Sequence, residues 1–508
     1  MKPRYLLCCL CFISIAILPA KVRAQVNKQD SLALVDLYNN TNGPGWPYQN
    51  NWLTTNPLST WFGITVINKR VTEIDLFANF MKGTLPSSLG NVVKLTLLDL
   101  SFNQLNGSMP ASLGNLTNLS SLNLSSNQFS GGIPASLGNL TKLNKLDLSV
   151  NQLSGSIPST FGNLLSLKQL FLLNNQLSGS IPASLGSLVN LKTLLLYDNR
   201  LSGNIPAELG KLENLEGFYA YNNRLKGNIP PELGNLSKLK YLYLNNNRLS
   251  GKIPAALSKI HRLYWLYLDH NQLSGGIPAS LGNLTHLNYL DLSGNQLAGS
   301  IPESLGNLGN LEGLNISHNN FTFDGMEALA QKIPFAVYDH QKHIPVHRNN
   351  NSLSVSAGGT LSNNTYRWFR LQGGYEKLIG DSVFYPVQNA IYYVRVGNSI
   401  ATGLLLRSDT ITYTAPLAAD KPVNNSADNL HAENASNNFS VYPNPAKNIL
   451  YVQTDNKASF SLISSDGRLL LTQTISGKGS INVSGITAGL YYLKNDNNSK
   501  LQKIIITK

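Results

Sequence analysis

Residues 119–142 read LSSLNLSSNQFSGGIPASLGNLTK, and this stretch is one copy of a pattern that fills the middle of the chain. An apolar residue followed by proline recurs every 24 residues without an insertion, from Pro86 to Pro302. Each unit reads L-x-x-L-x-L-x-x-N-x-L-x-G-x-I-P-x-x-L-G-N-L, and counting by its asparagine gives eleven units, from Asn79 to Asn319. Self-similarity at a fixed period of this length predicts a solenoid, in which each unit packs on its neighbours.

The spacing of the leucines predicts the local structure of each unit. In L-x-L the leucines alternate with other residues, which indicates a short strand with one buried face. Stacked units then form a parallel sheet with strands ~4.8 Å apart, so the eleven units extend over roughly 50 Å. The asparagine, at position 9 of the unit, can bond backbone groups where the chain turns. The glycine permits a bend, and I-P-x-x-L predicts a short turn of helix at the outer edge.

The L-x-G-x-I-P motif resembles the plant-specific class of leucine-rich repeats, and the resemblance covers residues 71–322. It implies an α/β solenoid, a right-handed horseshoe or superhelix whose parallel sheet lies on the concave face. It also implies a non-catalytic protein that binds proteins or peptides on that face.

The open ends of such an array need caps, because they would otherwise expose apolar interior and unpaired strand edges. Residues 25–70 are the expected N-terminal cap, with an amphipathic helix whose candidate apolar residues are Leu32, Leu34, Val35 and Leu37. Three tryptophans follow, and we interpret them as the core of the cap rather than as a binding site; they are Trp46, Trp52 and Trp61. Residues 323–348 supply a short helix and a strand as the C-terminal cap.

Positions 3, 5, 7 and 8 of each unit are expected to face solvent on the concave sheet. In the first four units and in the last ones they are mostly small or acidic, but in the middle units several become aromatic. The candidate ligand-binding residues are these aromatic side chains and two polar neighbours: Phe171, Tyr197, Tyr219, Tyr221, Tyr241, Tyr243, Trp265, Tyr267, Asp269, His270 and Tyr289. Neighbouring strands would place the rings ~5 Å apart in one patch.

Several functions are compatible with such a patch. Tyrosine and tryptophan suit the recognition of a protein or peptide, because they lose little rotamer entropy on binding and carry a polar tip. A glycan-binding adhesin could use the same rings with the adjacent Asn and Asp residues. A third alternative is ice binding by the regular flank of the solenoid. The structural alternative is that tyrosine is merely tolerated in a strand and stacks on its neighbours.

The N-terminal 24 residues predict a secreted protein. A basic start precedes the apolar run LLCCLCFISIAIL, and small residues stand before Gln25, as in a signal peptide. This run holds all three cysteines, so the mature chain would contain none. Of the net charge of +13, the signal segment carries +4 and residues 438–508 carry +5, which leaves +4 for residues 25–437. The basic residues there are scattered along the sequence, so no nucleic-acid partner is expected, and no later segment predicts a transmembrane helix.

Beyond the repeats the period is lost. Residues 349–414 contain short alternating strands separated by Gly/Asn turns and resemble a bacterial immunoglobulin-like β-sandwich, with Trp368 in its core and Tyr392 as a tyrosine corner. Residues 415–437 predict a flexible linker. Residues 438–508, with YPNPAKNILYV and INVSGITAGLYYLK, resemble a type IX secretion C-terminal sorting domain. That resemblance implies export in Bacteroidetes-type bacteria, removal of the domain by the secretion machinery, and release or attachment to surface lipopolysaccharide.

The sequence offers little catalytic chemistry. His340, His343 and His347 have spacings that would share a helical face, but Pro345 prevents a regular helix there. We therefore expect a junction loop rather than a metal site, and no cofactor. Carboxylates such as Asp75 and Asp99 would lie ~5 Å apart on the sheet, a distance that could suit a glycosidase. An open sheet gives no pocket to raise the pKa of one of them, so an enzyme is not expected.

Overall fold

The computed structural model describes residues 27–349, 351–371, 375–379, 381–386, 388–414, 439–442, 446–464, 468–497 and 501–507. The signal peptide expected over residues 1–24 and the linker expected over residues 415–437 lie outside the described residues. The chain divides into two compact units at Leu417/Ala418, and each is described by itself.

Short strands, two to six residues long, build the repeat region. In chain order they are β1 (Ile64–Ile67), β2 (Arg70–Asp75), β3 (Lys82–Thr84), β4 (Leu97–Asp99), β5 (Gln104–Gly107), β6 (Ser121–Asn123), β7 (Gln128–Gly132), β8 (Lys145–Asp147), β9 (Gln152–Ser154), β10 (Gln169–Phe171), β11 (Thr193–Leu195), β12 (Ser202–Gly203), β13 (Gly217–Tyr219), β14 (Arg224–Gly227), β15 (Tyr241–Tyr243), β16 (Arg248–Gly251), β17 (Trp265–Tyr267), β18 (Gln272–Gly275), β19 (Tyr289–Asp291), β20 (Gln296–Leu297) and β21 (Gly313–Asn315).

One twelve-stranded sheet passes through all the repeats, in the order β1-β2-β4-β6-β8-β10-β11-β13-β15-β17-β19-β21. Strand β1 pairs antiparallel with β2 and covers the first edge of the sheet. From β2 onward every pair is parallel, with each residue beside the residue 24 places further along, as Leu242 is beside Leu266. The long parallel sheet predicted from the spacing is therefore present.

Two further parallel sheets follow the asparagine turn, β3-β5-β7-β9 and β12-β14-β16-β18-β20. The spacing of the leucines does not predict them. Here the register advances by 22 residues, so that Ser202 lies opposite Arg224. The glycine at position 13 is the last residue of β5, β12, β14, β16 and β18. It lies in the left-handed region, with φ of 74° at Gly227 and Gly251, a conformation that costs glycine little.

The outer edge of each of the first ten units is a single turn of 3₁₀ helix that follows the proline. These turns are Ser87–Asn91, Ala111–Asn115, Ala135–Asn139, Ser159–Asn163, Ala183–Ser187, Ala207–Lys211, Pro231–Asn235, Ala255–Lys259, Ala279–Asn283 and Glu303–Asn307. The short turn of helix expected after I-P is therefore present, and in these ten units it is a 3₁₀ turn. Neighbouring turns pack closely, and a Cβ added to Gly114 would lie 2.4 Å from the carbonyl oxygen of Ser136.

A ladder of buried asparagines joins the units. The side chain of Asn247 donates to the carbonyls of Ala220 and Leu244 at 2.9 and 3.1 Å and accepts from the amide of Leu225 at 2.9 Å. The same bonds recur from unit to unit. At the last rung Gln341 takes the place of asparagine and donates to the carbonyl of Ile316 at 3.0 Å. The amide side chain at each rung thus forms hydrogen bonds with backbone groups that have no partner in the sheet, because the strand changes direction there.

The N-terminal cap is built on helix α1 (Lys28–Asn40). Its buried face includes Leu34, Val35 and Leu37, as expected, but Leu32 is 44% exposed. The prediction for Leu32 was wrong because this face follows residues 30, 33, 34, 37 and 38, at helical spacing, and Leu32 lies outside that stripe.

Aromatic packing and one ion pair hold the cap together. The three tryptophans are at most 4% exposed, and neighbouring rings lie within 5 Å, with centroids 4.9 Å apart for Trp46 and Trp52 and 4.8 Å apart for Trp52 and Trp61. Asp30, fully buried, accepts from Arg70 Nε at 2.8 Å and from the amide of Val71 at 3.0 Å. This bond ties the helix to β2.

Helix α2 (Met326–Lys332) follows the last repeat and leads to a small β module in the same compact unit. Its strands are β22 (Val346–Asn349), β23 (Ser352–Val355), β24 (Asn364–Leu371), β25 (Tyr375–Ile379), β26 (Val383–Phe384), β27 (Ala390–Asn398), β28 (Leu405–Arg407) and β29 (Ile411–Tyr413). They form two antiparallel sheets, β22-β23-β26 and β25-β24-β27-β28 with β29 beside β27.

Two features of this module match expectations from the sequence. Trp368 is fully buried, and the hydroxyl of Tyr392 donates to the carbonyl of Gln388 at 2.9 Å, a bond of the tyrosine-corner type. The module is joined to α2 through Glu327, which accepts from the hydroxyl of Thr360 at 2.7 Å and from the amide of Asn398 at 2.6 Å. Its assignment as immunoglobulin-like stays a prediction.

The second compact unit is an antiparallel β domain. Its strands are β30 (Phe439–Tyr442), β31 (Ile449–Thr454), β32 (Ala458–Ser464), β33 (Leu469–Ile475), β34 (Lys478–Asn482), β35 (Gly489–Asn495) and β36 (Leu501–Ile506). They form the sheets β30-β31-β34 and β33-β32-β35-β36, and Leu450, Phe460, Leu493 and Ile504 are fully buried in their own core.

The asparagine ladder gives a stability prediction. Replacing Asn247 by Ala leaves the buried amide of Leu225 without its acceptor and removes one of the two side-chain donors to each of the carbonyls of Ala220 and Leu244. The free energy of unfolding should therefore fall by about 2–4 kcal/mol. Urea denaturation followed by circular dichroism measures this change. Asn235→Ala, at an exposed asparagine of the outer edge, is the matched control and should cost less than about 0.5 kcal/mol. Equal costs for the two variants would contradict the role of the ladder.

Candidate functional site

The exposed face of the twelve-stranded sheet divides into two kinds of unit. In units 2, 3, 4, 10 and 11 the side chain at position 5 is Asp or Asn, and it accepts hydrogen bonds from the amide and hydroxyl of the serine at position 7. For Asp99 these bonds to Ser101 are 2.9 and 2.6 Å long. Most of these polar side chains therefore have local partners and a structural reason to be present.

Units 5 to 9 have lost this pair. Position 5 there holds an aromatic residue or leucine: Phe171, Leu195, Tyr219, Tyr243 and Tyr267. Position 7 holds tyrosine only in units 6 and 7, and tyrosine or tryptophan occupies position 3 in units 8 to 10. Five consecutive units thus lack a hydrogen-bond pair that units 2 to 4, 10 and 11 share, and unit 1 lacks it too, with Phe77 at position 7. Simple tolerance of tyrosine in a strand does not explain why tyrosine and tryptophan cluster in the middle of the array.

Strand register places the rings in three columns. Tyr241, Trp265 and Tyr289 are direct neighbours at position 3. Tyr219, Tyr243 and Tyr267 are direct neighbours at position 5. Tyr197 and Tyr221 stand at position 7, with ring centroids 4.4 Å apart and planes at 9°. The position-5 column begins one unit later than the position-7 column, and the position-3 column begins one unit later again. The rings therefore run diagonally across the sheet, from Tyr197 in unit 6 to Tyr289 in unit 10.

Contacts between columns make these rings one cluster. Tyr243 is central, with centroids 4.8 Å from Tyr219, 6.1 Å from Trp265 and 4.7 Å from Tyr267. Trp265 continues to Tyr289 at 5.7 Å, and Tyr221 joins Tyr243 at 6.2 Å. Tyr264, at position 2, joins Tyr241 at 6.4 Å. We call these nine residues the aromatic band: Tyr197, Tyr219, Tyr221, Tyr241, Tyr243, Tyr264, Trp265, Tyr267 and Tyr289.

The aromatic band includes eight of the nine rings named from the sequence. Phe171 is not among its ring contacts in the described chain, because Leu195 stands between Phe171 and Tyr219 in the position-5 column. Phe171 lies instead under Lys145, whose Nζ is 5.8 Å from the ring centroid. Tyr264 was missed because position 2 was not counted as facing solvent, although Tyr264 is half-buried rather than buried.

The band is less exposed than free rings would be. Trp265 is 37% exposed, while the other rings are half-buried against each other. Glycines make room for two of them: a Cβ added to Gly217 would lie 2.6 Å from the Tyr219 ring, and one added to Gly313 would lie 2.7 Å from the Tyr289 ring. The rings therefore lie over the sheet and form a broad surface with Trp265 as its most open member.

Burial also changes the acid–base properties of the band. It raises the pKa of Tyr219 to about 12, with a smaller contribution from Tyr241. Burial likewise raises the pKa of Tyr221 and Tyr243 well above the ordinary value. These phenols stay protonated at neutral pH and can donate a hydrogen bond to a ligand.

The two polar candidates differ in accessibility. Asp269 is 8% exposed, and burial raises its pKa while the hydrogen bond to His270 lowers it. Its Oδ2 lies 2.9 Å from Nδ1 of His270, whose side chain is 66% exposed. Asp269 therefore holds His270, and His270 is the member of the pair that a ligand would meet.

A row of cations beside the band was missed entirely. Position 10, directly after the ladder asparagine, is glutamine in six units but arginine in units 6, 7 and 8: Arg200, Arg224 and Arg248. Lys226 and Lys252 follow on the same flank, and all five side chains are exposed. The expectation that basic residues are merely scattered was wrong for these five, because residues on successive turns of a solenoid lie side by side, as Lys226 and Arg248 do at the 22-residue register of the flank. Aligning the units by their asparagine would have revealed the row.

The other candidates yield no site in the described residues. Nδ1 of His340 lies 2.7 Å from Asp339, Nδ1 of His343 lies 3.1 Å from Asp409, and His347 belongs to β22 rather than to a loop. No group of three or more His, Cys, Asp or Glu residues in the described ranges could hold a metal ion. The described part of the chain also contains no helix that is long and apolar enough to cross a bilayer.

Sequence families match both parts of the chain. Leucine-rich-repeat families match residues 94–116, 118–140, 142–164, 166–188, 190–212, 214–273, 286–308 and 310–330. The secretion system C-terminal sorting domain matches residues 440–507. No curated protein matches the chain. The chain therefore contains leucine-rich repeats and a C-terminal sorting domain for export.

Solved structures resemble the repeat region. The leucine-rich-repeat ectodomain of the receptor kinase GASSHO1/SCHENGEN3 from Arabidopsis thaliana, in complex with CASPARIAN STRIP INTEGRITY FACTOR 2, is 40% identical with a TM-score of 0.55, over 58% of this chain and 36% of that one. The plant peptide hormone receptor RGFR1 in complex with RGF2 is 33% identical, with a TM-score of 0.41, over 54% and 51%. A plant ice-binding protein is 29% identical, with a TM-score of 0.48, over 55% and 90%. The chain spans about a third to a half of the length of the two receptors.

The raised tyrosine pKa values predict an alkaline loss of stability. As the pH rises from 10 to about 12 the unfolded chain loses phenolic protons that folded Tyr219 still holds, so the free energy of unfolding should fall as the pH rises. Replacing Tyr219, Tyr221 and Tyr243 together by Phe removes three such groups and should make the fall smaller. Urea denaturation between about pH 9 and pH 12 measures it. An unchanged pH dependence would contradict the burial of these phenols.

Proposed function

We propose that this protein is an exported, non-catalytic binding protein that recognises a peptide or an extended protein segment on its aromatic band. The observation that carries the proposal is the replacement of the local Asp–Ser pair by a connected diagonal of rings in the middle units only. Tyrosine and tryptophan at such a surface combine large contact area with few rotatable bonds. The likeness of the repeats to a receptor ectodomain that is in complex with a partner supports this reading.

The dimensions of the band fit an extended segment. From unit 6 to unit 10 it crosses four strand spacings, or ~19 Å, and it shifts by four residues along the strands, or ~13 Å. The diagonal is therefore ~23 Å long, which corresponds to about seven residues of extended chain. Protonated phenols along its length would donate to backbone carbonyls of the segment.

Glycan binding is the second candidate, and the polar groups beside the rings favour it: His270, and Asp198 with the Asn222 amide donating to it at 2.7 Å. Sugars stack on open ring faces, whereas most rings here turn an edge or face to a neighbour, as Tyr243 and Tyr267 do at 82°. We therefore place a peptide first. Ice binding by the flank is the third candidate, and a thermal-hysteresis assay tests it.

The binding proposal predicts the effect of a double substitution. Trp265→Ala with Tyr243→Ala removes the most exposed ring and the central ring, so the affinity for peptides selected from a random dodecapeptide library on the full chain should fall at least about tenfold. Fluorescence anisotropy measures binding, and circular dichroism checks the fold. Phe77→Ser with Phe102→Ser is the matched control, because both rings are exposed and lie outside the band.

Two outcomes would contradict the peptide proposal. One is that the library yields no peptide whose binding depends on the aromatic band. The other is that the Phe77→Ser/Phe102→Ser control loses as much affinity for the selected peptides as the double Ala variant does. A glycan array probed with the same proteins separates the second candidate, which requires a saccharide whose binding is lost with Trp265 and Tyr243.

For export, we propose a type IX route in a Bacteroidetes-type bacterium. The secretion machinery recognises the second compact unit and then removes it. The rest of the protein is released or attached to surface lipopolysaccharide. In this proposal the solenoid is right-handed, the aromatic band lies on its concave side, and the immunoglobulin-like module is a spacer. The match of the sorting domain over residues 440–507 supports the route.

Removal of residues 438–508 should retain the protein in the periplasm of a host that has this secretion system. The readout is immunoblotting of periplasmic, surface and medium fractions. A chain with the double Ala substitution in the aromatic band is the control and should be exported normally. Surface or medium localisation of the truncated protein would contradict the route.

A further inference from the structure

We propose that Arg200, Arg224 and Arg248, with Lys226 and Lys252, form a cationic strip that binds the carboxylates of an acidic segment of the ligand. This inference rests on the proposed function, because the segment would continue from the peptide held on the aromatic band. The strip stands on the flank at positions 10, 12 and 14 of units 6, 7 and 8.

Concentration of the basic residues in three neighbouring units is the first observation. Positions 7 to 14 of units 2 to 5 and 9 to 11 contain no lysine or arginine, and those of unit 1 contain Lys82 alone, whereas units 6 to 8 contain all five cations of the strip. Only one carboxylate, Asp198, lies in the same rows of these three units, and it accepts the Asn222 amide at 2.7 Å. The strip therefore carries an excess of positive charge.

Strand register makes this charge concentrated. Arg224 and Lys226 lie on one side of β14, with Leu225 buried between them. Lys226 is the direct neighbour of Arg248 on β16. Like charges placed opposite each other destabilise a sheet, and the described chain shows no ion pair for any of the five. The repeat would avoid this cost by keeping glutamine at position 10, as six other units do.

Position and chemistry indicate the occupant. Arg200 and Arg224 stand three residues after Tyr197 and Tyr221, so the strip borders the unit-6 end of the aromatic band. Each guanidinium presents a planar fork of donors that matches a carboxylate. A peptide on the band would thus place its acidic residues beyond the Tyr197 end.

The experiment pans one random dodecapeptide library on the full chain and on the Arg200→Gln/Arg224→Gln/Arg248→Gln variant. Glutamine is the residue of six other units at this position, so the variant should fold normally. The peptides that are selected on the unmodified chain should be enriched in Asp and Glu at one end. They should bind the variant about tenfold more weakly and lose affinity steeply with added salt.

A relocation variant is the control for net charge. It combines the three Gln substitutions with Gln104→Arg, Gln128→Arg and Gln152→Arg, which rebuilds the arginine row away from the band. It should bind acidic peptides as weakly as the Gln variant. If the relocation variant bound acidic peptides as tightly as the unmodified chain does, the proposed strip would be wrong, because net charge alone would then explain the binding.

The remaining outcomes separate this inference from the proposed function. Peptides that need Trp265 and Tyr243 but show no acidic bias would overturn the strip and leave the aromatic band as the binding site. An oligogalacturonide or a single-stranded oligonucleotide that binds through the three arginines, in the absence of any acidic peptide that does so, would overturn the acidic-peptide proposal. Acidic peptides whose affinity is unchanged in the Gln variant would overturn it as well.

Discussion

The buried asparagine of each unit is the interaction on which this structure depends. Its side chain bonds carbonyls of its own unit and of the preceding one, and it accepts an amide from the strand that starts the flank, as Asn247 does from Leu225. Because these bonds repeat every 24 residues, they fix the stacking of the units and the register of the long sheet. Substitutions on the exposed face leave this interior unchanged, and so the face is free to diverge.

Much of the fold follows from spacing alone. The L-x-L pattern predicts the parallel strands because burial alternates along a strand, and the recurring asparagine predicts the number of units. The flanking sheets did not follow, since only backbone bonds after the asparagine turn, such as those that place Ser202 beside Arg224, create them. Leu32 shows a similar limit, because an apolar residue does not reveal which side of a short helix is covered.

The candidate site was predictable only in part. The positions of Tyr243 and Trp265 follow from their place in the unit, but their mutual packing depends on ring orientation and on the space left by Gly217 and Gly313. Phe171 shares the position-5 column yet lies apart from the cluster because its neighbour is Leu195. The arginine row was not predicted, because a count of charge along the chain does not group residues that are 24 positions apart. In a solenoid, equivalent side chains of successive units lie on adjacent turns, whereas residues that are neighbours in sequence face different sides of the strand.

The constant length of the unit has a consequence for how this surface can change. Every unit ends where the next can begin, and every unit carries the same rung of the asparagine ladder. Duplication or loss of one 24-residue cassette would therefore lengthen or shorten each column of side chains by one strand spacing without misaligning the others. The length of the binding surface can thus change through the number of units, and its chemistry can change independently through point substitutions.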